Sequence, residues 1–275
     1  MARIALFQAT SGIDPAANAT ALVSAVEAAA KGGAAMLFTP EMSGLLDKDR
    51  TRMIGQVSVE REDRVLAAVR EAAAKAGVWV HLGSLAVIAE GGDKLANRGF
   101  VIDGAGEIRA RYNKIHLFDV DLPTGESWRE SASYAPGAAS VVVRDTPVGV
   151  LGLTICYDLR FPALFAALAE AGAETISVPA AFTVPTGMAH WHLLLRARAV
   201  EAGLFVVAAA QGGNHEDGRA TYGHSLVVGP WGEVLLDMAA RNGELGFAEI
   251  DLGRIAEVRA RVPALNHRRP IPAPI

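Results

Sequence analysis

Cysteine is almost missing from this chain, which has Cys156 as its single cysteine among 275 residues. A lone cysteine cannot form an intramolecular disulfide, so the sequence argues against a disulfide-stabilised secreted protein and suits a reducing compartment. The first residues enter a strand-like pattern at Arg3 without the layout of a secretory signal peptide. We therefore expect a cytoplasmic protein.

An excess of charge and long hydrophobic runs are missing too. The formal net charge is −4, from 26 basic and 30 acidic residues, which leaves no basic footprint for nucleic acid. The longest apolar stretches are broken by Lys31, Arg144 or Glu174, so none reaches the roughly 18 residues of a membrane span. Hydrophobic residues still make up 51% of the chain, enough for a sizeable core. We expect a globular protein with neither a nucleic-acid nor a membrane partner.

Strand-like and helix-like segments alternate along most of the sequence. The helical spacing predicts helices at Asp14–Lys31, Val59–Ala76, Leu159–Ala171, His190–Glu201 and Leu252–Arg261. Strands are expected at Arg3–Gln8, Ala35–Thr39, Val78–Val87, Asn97–Asp103, Glu107–Asn113, Ser140–Val143, Val148–Ile155, Thr175–Pro179, Phe205–Ala210, His224–Gly229, Glu233–Asp237 and Gly246–Ile250. Because βαβ units occur together with hairpins, the fold class is α/β with mixed sheets. We expect one domain over 1–275, with 262–275 as an extended tail.

Three chemically reactive residues stand where a strand or hairpin ends. Glu41 and Cys156 each follow an apolar run, and Lys114 follows a hairpin. A thiol needs a base or a nearby cation to react near neutral pH, and a carboxylate can take its proton and later pass it to a leaving amine. A lysine ammonium and the backbone N–H of Tyr157 can stabilise an oxyanion. This set suffices for acyl transfer from an amide without a metal.

Each of these residues also has a purely structural interpretation. A free cysteine often packs as a small hydrophobe, Glu41 can cap a following helix, and Lys114 can be a solvated hairpin end. Their spacing alone does not decide between catalysis and structure.

Three sequence segments resemble the nitrilase superfamily of carbon–nitrogen hydrolases. They are Phe38-Thr-Pro-Glu41, Tyr112-Asn-Lys114-Ile-His-Leu117 and Ile155-Cys-Tyr-Asp-Leu-Arg-Phe-Pro162, in that order along the chain. The resemblance implies a four-layer α-β-β-α sandwich with no cofactor. It also implies that Glu41 is the general base, that Lys114 supports the tetrahedral intermediate and that Cys156 is acylated.

The same resemblance implies a second glutamate, for which the loop after Gly125 offers Glu126 and Glu130. Glu130 fits better because it lies in the Glu-Ser step that precedes Tyr134. Glu126 and Tyr134 are also candidates for binding substrate, as is Arg160, because a guanidinium can pair with a carboxylate in two hydrogen bonds. An ion pair of Arg160 with Asp158 or another acid is an equally open alternative.

Within the superfamily the chain is most similar to the deaminated glutathione amidases. The supporting segments are Gly187–Glu201, Val206–Gly212, Thr221–Ser225 and Asn266–Pro270, and Met188 departs from the usual proline. The resemblance implies hydrolysis of a small carboxylated amide through a thioester. The alternatives are an omega-amidase acting on 2-oxoglutaramate-like substrates, an N-carbamoyl amine hydrolase, a nitrilase, or an inactive scaffold with the same fold.

Metal and oligomer expectations complete the sequence picture. His190 and His192 are two positions apart on a predicted helix and so point to different faces, and no third ligand stands at a suitable spacing, so we expect no metal. The family resemblance implies a homodimer or higher homo-oligomer, with the predicted helices at Leu159–Ala171 and His190–Glu201 and the C-terminal tail at the interface.

Overall fold

The computed structural model describes residues 1–89, 91, 93–121, 125 and 127–272. Its strands are β1 (Ala2–Gln8), β2 (Met36–Phe38), β3 (Trp79–Ile88), β4 (Leu95–Ile102), β5 (Ile108–Asn113), β6 (Asp119–Asp121), β7 (Ser127–Arg129), β8 (Val141–Thr146), β9 (Gly149–Leu153), β10 (Thr175–Ser177), β11 (Phe205–Ala208), β12 (Gly212–Asn214), β13 (Ala220–Tyr222), β14 (Leu226–Val228), β15 (Val234–Asp237) and β16 (Glu244–Ile250). Its α-helices are α1 (Pro15–Lys31), α2 (Arg50–Ile54), α3 (Arg64–Ala76), α4 (Pro162–Glu170), α5 (Val184–Ala202) and α6 (Gly253–Arg261).

Local sequence sets the ends of the two long N-terminal helices. The Asp14 carboxylate accepts a hydrogen bond from the Ala16 amide at 2.9 Å, at the start of α1. Asp63 accepts one from Leu66 at 2.8 Å at the start of α3, so this helix begins later than the predicted Val59. A capping carboxylate satisfies an amide that has no intrahelical acceptor. Gly77 then ends α3 with a φ of +65°, which glycine adopts without strain.

Two six-stranded sheets form the centre of the molecule. The first has the order β16-β1-β2-β3-β4-β5 and the second β15-β14-β11-β10-β9-β8. Strands β1, β2 and β3 are mutually parallel, as are β9, β10 and β11, and the remaining pairs within these sheets are antiparallel. The expectation of mixed sheets is confirmed, and β4 and β5 form the predicted hairpin.

The sheets pack face to face with helices outside them. Ile4 and Phe38 of the first sheet share one buried cluster with Leu153 and Val207 of the second. The other face of the first sheet is covered by α1 and α3 in a separate apolar cluster, and α4 and α5 contact the second sheet. Burying both faces of each sheet gives four layers, which confirms the predicted α-β-β-α sandwich.

The segment after β9 differs from the predicted helix over Leu159–Ala171. A 3-10 helix covers Cys156–Arg160, and α4 begins only at Pro162. Proline disfavours helical geometry in the residue before it but is tolerated in a first turn. The chain therefore turns twice here, which places Cys156 on a tight turn at the end of a strand.

The C-terminal segment carries a 3-10 turn at Ala264–His267, inside the stretch that we expect to be extended. Arg268 then donates a 2.6 Å hydrogen bond to Glu170 at the end of α4.

Among the residues that the structure describes, no helix combines the length and the apolar character that crossing a membrane requires.

Candidate active site

The fold brings the three reactive residues of the sequence together. Glu41 follows β2 and Lys114 follows β5, and these strands run in the same direction, so both residues lie at the same end of the strands of the first sheet. Cys156 follows β9 of the second sheet. Their relative exposures are 5%, 2% and 7%. Lys114 Nζ lies 2.9 Å from Glu41 Oε1. The interpretation of Lys114 as a solvated hairpin end is therefore wrong. Its ammonium is buried, and a buried ammonium must be paired.

Cys156 has an unusual backbone conformation. Its φ is +50°, in the left-handed region that side chains other than glycine rarely occupy. Its amide donates to the Pro179 carbonyl at 2.9 Å and so fixes the turn. Tyr157 stands in the first turn of a 3-10 helix, where a backbone N–H has no acceptor within the helix. The turn therefore places the thiol next to an N–H that can donate to an oxyanion.

Three nitrogen donors surround the Glu41 carboxylate. Lys114 Nζ and Asn97 Nδ2 each donate to Oε1 at 2.9 Å, and the Ala181 amide donates to Oε2 at 3.0 Å. Burial alone would raise the pKa of Glu41, but the Lys114 charge and the hydrogen bonds from Cys156, Lys114 and Asn97 lower it below its ordinary value. Glu41 is therefore a carboxylate that faces the thiol.

Lys114 also binds the second glutamate. Its Nζ lies 2.9 Å from Oε2 and 3.2 Å from Oε1 of Glu130, and the Phe118 amide holds that carboxylate at 2.7 Å. Burial by itself lowers the pKa of Lys114, yet the charges of Glu130 and Glu41 raise it well above the ordinary value. The ammonium therefore keeps its charge at neutral pH, between two carboxylates.

Burial, together with the adjacent Glu41 charge, raises the pKa of the Cys156 thiol well above its usual value. The resting group is thus a neutral thiol beside a carboxylate, not a preformed thiolate. A proton can pass from sulfur to carboxylate as the sulfur attacks, and Lys114 offsets the charge that develops.

Two polar residues that support this arrangement escaped the sequence reasoning. Asn97 Nδ2 joins the two glutamates, at 2.9 Å from Glu41 and 3.1 Å from Glu130. Asp158 is fully buried and accepts from the Tyr112 hydroxyl at 2.7 Å and from the Ile155 amide at 2.9 Å.

Asp158 also lies 2.7 Å from the His116 ring and accepts from its amide at 3.0 Å. It therefore ties the strand end that carries Lys114 to the turn that carries Cys156. Its position two residues after the cysteine, inside the motif Ile155–Pro162, is the signal in the sequence that marks it.

The reactive groups open into a cleft of about 540 Å³, which Tyr134 also lines. The Tyr134 hydroxyl contacts the sulfur of Met53 at 3.4 Å. Arg160 is not among the lining residues; its guanidinium stacks over Phe182 at 5.7 Å and donates to the His190 ring at 3.3 Å. Within the described residues, Arg160 forms no ion pair with Asp158 and does not line the cleft. Glu126 lies outside the described residues.

Cations stand around the mouth of the cleft, namely Lys48, Arg50, Arg129 and Arg219. Arg219 pairs with Asp217 at 2.7 Å and lies over the Trp128 ring at 5.1 Å. The mouth is therefore suited to a substrate that carries negative charge.

The model of the carbon–nitrogen hydrolase family matches residues 3–260, and the chain belongs to that family. It is an amide-hydrolysing enzyme of the nitrilase superfamily with the fold described above. Among its relatives is the deaminated glutathione amidase of Yersinia enterocolitica, 40% identical over 273 residues that cover 98% of this chain and 93% of that protein.

Solved structures show the same likeness. Nit3 of Saccharomyces cerevisiae, a member of branch 10 of the superfamily, has a TM-score of 0.86 at 29% identity and covers 98% of this chain and 96% of its own. A mutant amidase from Nesterenkonia sp. AN1 has a TM-score of 0.80 at 28% identity, covering 98% of this chain and 94% of its own. That structure shows covalent addition of the acetamide moiety of fluoroacetamide at the active site cysteine.

Proposed function

We propose that this enzyme hydrolyses deaminated glutathione through a thioester on Cys156. The observation that carries the proposal is the buried cluster of Glu41, Lys114, Glu130 and Cys156 at the end of a cleft lined by cations. Deaminated glutathione carries carboxylates, which those cations can recognise, and several relatives at 38–40% identity bear the name of that amidase.

The first half of the reaction is acylation. The thiol of Cys156 gives its proton to the Glu41 carboxylate while the sulfur attacks the amide carbonyl carbon. The oxygen that becomes negative is held by the Lys114 ammonium and the Tyr157 amide. The C–N bond then breaks, and Glu41 returns the proton to the leaving amine, so that a thioester remains.

The second half is deacylation. Glu41, again a carboxylate, takes a proton from water, and the oxygen of that water attacks the thioester carbonyl. The C–S bond breaks, the carboxylic acid leaves and Cys156 regains a proton. Glu130 acts on the Lys114 side, where it fixes the ammonium at 2.9 Å and keeps it aimed at the reacting carbonyl.

Specificity arises at the cleft mouth in this proposal. Lys48 is exposed and lies beside Gly218, where an added Cβ would stand 3.3 Å from its Nζ. Arg219 faces the same space but already pairs with Asp217. Lys48 is therefore more available than Arg219 to pair with a substrate carboxylate.

Product analysis on parallel substrates tests the proposal. Deaminated glutathione releases a peptide amine, cysteinylglycine, whereas 2-oxoglutaramate releases ammonia, so each product is measured by its own assay. We expect a higher kcat/KM for deaminated glutathione and no turnover by Cys156→Ala. A preference for 2-oxoglutaramate makes the enzyme an omega-amidase, and turnover by the folded Cys156→Ala variant excludes covalent catalysis.

We further propose that the enzyme is a cytoplasmic homodimer that uses α5. This helix presents Leu193 and Val200, seven positions apart and so on one face, to solvent at 67% and 55% exposure, an apolar patch that a second copy can cover. Light scattering is expected to give twice the monomer mass, and Leu193→Lys is expected to yield monomer. A monomeric parent protein would contradict the proposal.

A further inference from the structure

Outside the cleft, two histidines and an aspartate converge from separate parts of the chain. His192 lies on α5, His224 in the loop between β13 and β14, and Asp237 at the end of β15. Their ligand atoms all lie within 4.8 Å of one another. None of the three is among the residues that line the cleft, so the hydrolytic reaction gives no reason for this cluster.

The contact distances are close to those of a metal-binding site. Asp237 Oδ2 lies 2.9 Å from Nε2 of His192 and 3.2 Å from Nδ1 of His224. Zinc holds nitrogen and oxygen ligands in a tetrahedron at about 2.0–2.2 Å, so neighbouring ligand atoms around it are about 3.3–3.6 Å apart. An ion therefore fits among these atoms after small side-chain adjustments.

The surroundings already orient the ligands. The Ala239 amide donates to Asp237 Oδ1 at 2.8 Å, and the same oxygen lies 2.9 Å from Nδ1 of His224, so both carboxylate oxygens face the histidines. The Tyr222 ring stacks on His224 at 4.4 Å, and Trp191 Nε1 donates to the His224 carbonyl at 2.8 Å. Partners of this kind fix the orientation of ligands and raise metal affinity.

Charge and access also suit a cation. Imidazole ligands bind a metal through an unprotonated ring nitrogen, and a tautomer change frees the ring nitrogens that face the Asp237 carboxylate. The side chains of His192, Asp237 and His224 are 35%, 32% and 26% exposed, so an ion can enter and water can complete its coordination shell.

We propose that His192, His224 and Asp237 bind one divalent transition-metal ion, with Zn²⁺ as the probe, and that the ion fastens α5 to the β14–β15 hairpin. The sequence-based expectation of no metal considered His190 and His192, whose rings do take different partners. The missing ligands stand 45 and 32 residues further along the chain, beyond the reach of a spacing argument.

The test is titration of the untagged, chelator-treated protein with Zn²⁺ by calorimetry. We expect one ion per chain and a higher melting temperature with Zn²⁺. His192→Gln and Asp237→Asn are expected to lose at least about tenfold in affinity and to lose the thermal shift. The matched control is His267→Gln, which removes an exposed histidine far from the cluster in sequence and is expected to bind like the parent protein.

A parallel titration of Cys156→Ala separates this site from the catalytic thiol. We expect it to keep the bound ion, and we expect Co²⁺ in the parent protein to give visible bands without a thiolate charge-transfer band. Absence of binding, loss of binding in Cys156→Ala, or unchanged binding in a folded His192→Gln variant would overturn the proposal. The cluster would then be a metal-free group of hydrogen bonds.

Discussion

The floor and the mouth of the cleft are built on opposite physical principles. On the floor, Glu41, Lys114 and Cys156 are nearly excluded from solvent, and fixed partners surround the charged groups. At the mouth, Lys48 and Arg50 are exposed cations. Burial makes the floor sensitive to every charge placed in it, whereas solvent weakens each charge at the mouth. In the function that we propose, the floor carries out the reaction and the mouth selects the substrate.

The substitution Lys114→Met is expected to have the largest effect on both activity and stability. It leaves Glu41 and Glu130 as two buried carboxylates without the cation between them. We expect a loss in kcat of about 10³-fold or more and a loss of about 3–5 kcal/mol in the free energy of unfolding. Steady-state kinetics and urea unfolding measure the two effects.

The control for Lys114→Met is Lys75→Met, which removes an exposed lysine from the last turn of α3. It is expected to change neither quantity appreciably. Near-normal turnover in the Lys114 variant would show that the reaction does not need the ammonium.

Asp158→Asn sharpens the comparison, because Asp158 supports the floor without lining it. An amide cannot accept all the hydrogen bonds from Tyr112, Ile155 and His116 that the carboxylate accepts. The turn that carries Cys156 should shift, and a small displacement of reacting groups costs about 10–100-fold in rate.

We expect the Asp158→Asn loss to appear in kcat while KM stays nearly constant, since the cations at the mouth are untouched. A change in KM alone would show that Asp158 acts on substrate binding and not on the position of the thiol.

Lys48→Met tests the mouth. Loss of a charge-assisted hydrogen bond is worth about 1.5–3 kcal/mol, so KM for a carboxylated amide should rise about tenfold or more. A neutral amide of the same length should be hydrolysed as before, which serves as the internal control. An equal effect on both substrates would mean that Lys48 shapes the cleft rather than recognises a carboxylate.

The smallest expected effect concerns the resting thiol. Because burial and Glu41 raise the pKa of Cys156 well above 9.0, the protonated form dominates on both sides of neutrality. The rate of modification by methyl methanethiosulfonate should therefore keep rising with pH past 9 without a plateau. A plateau near pH 7 would indicate a preformed thiolate and a different charge distribution on the floor.

The same contrast separates what the sequence could predict from what it could not. The mixed sheets and four layers followed from alternating segments and the family resemblance, and they are confirmed. Glu41, Lys114 and Cys156 could be found because each stands in a distinctive motif at the end of a strand or hairpin. Their meeting in space depends on two sheets packing together, which no local pattern encodes.

The residues proposed to bind substrate were harder to predict, for a physical reason. Arg160 is a candidate because a guanidinium can pair with a carboxylate, but its guanidinium lies over Phe182 and bonds His190. Lys48 comes from an exposed loop over 100 residues earlier, with no pattern that marks it. Surface cations are selected by where the fold places them, and the sequence does not show that placement.

The central claim is a covalent acyl group on Cys156, and mass spectrometry of the intact protein tests it most directly. Brief mixing with deaminated glutathione, followed by acid quenching, should show a mass increase equal to the acyl group, located on the peptide that contains Cys156. The adduct should be absent in Cys156→Ala and should form far more slowly in Glu41→Gln, in which the protonated thiol has no base. Turnover of the parent protein without any adduct, or an adduct on another residue, would contradict the account.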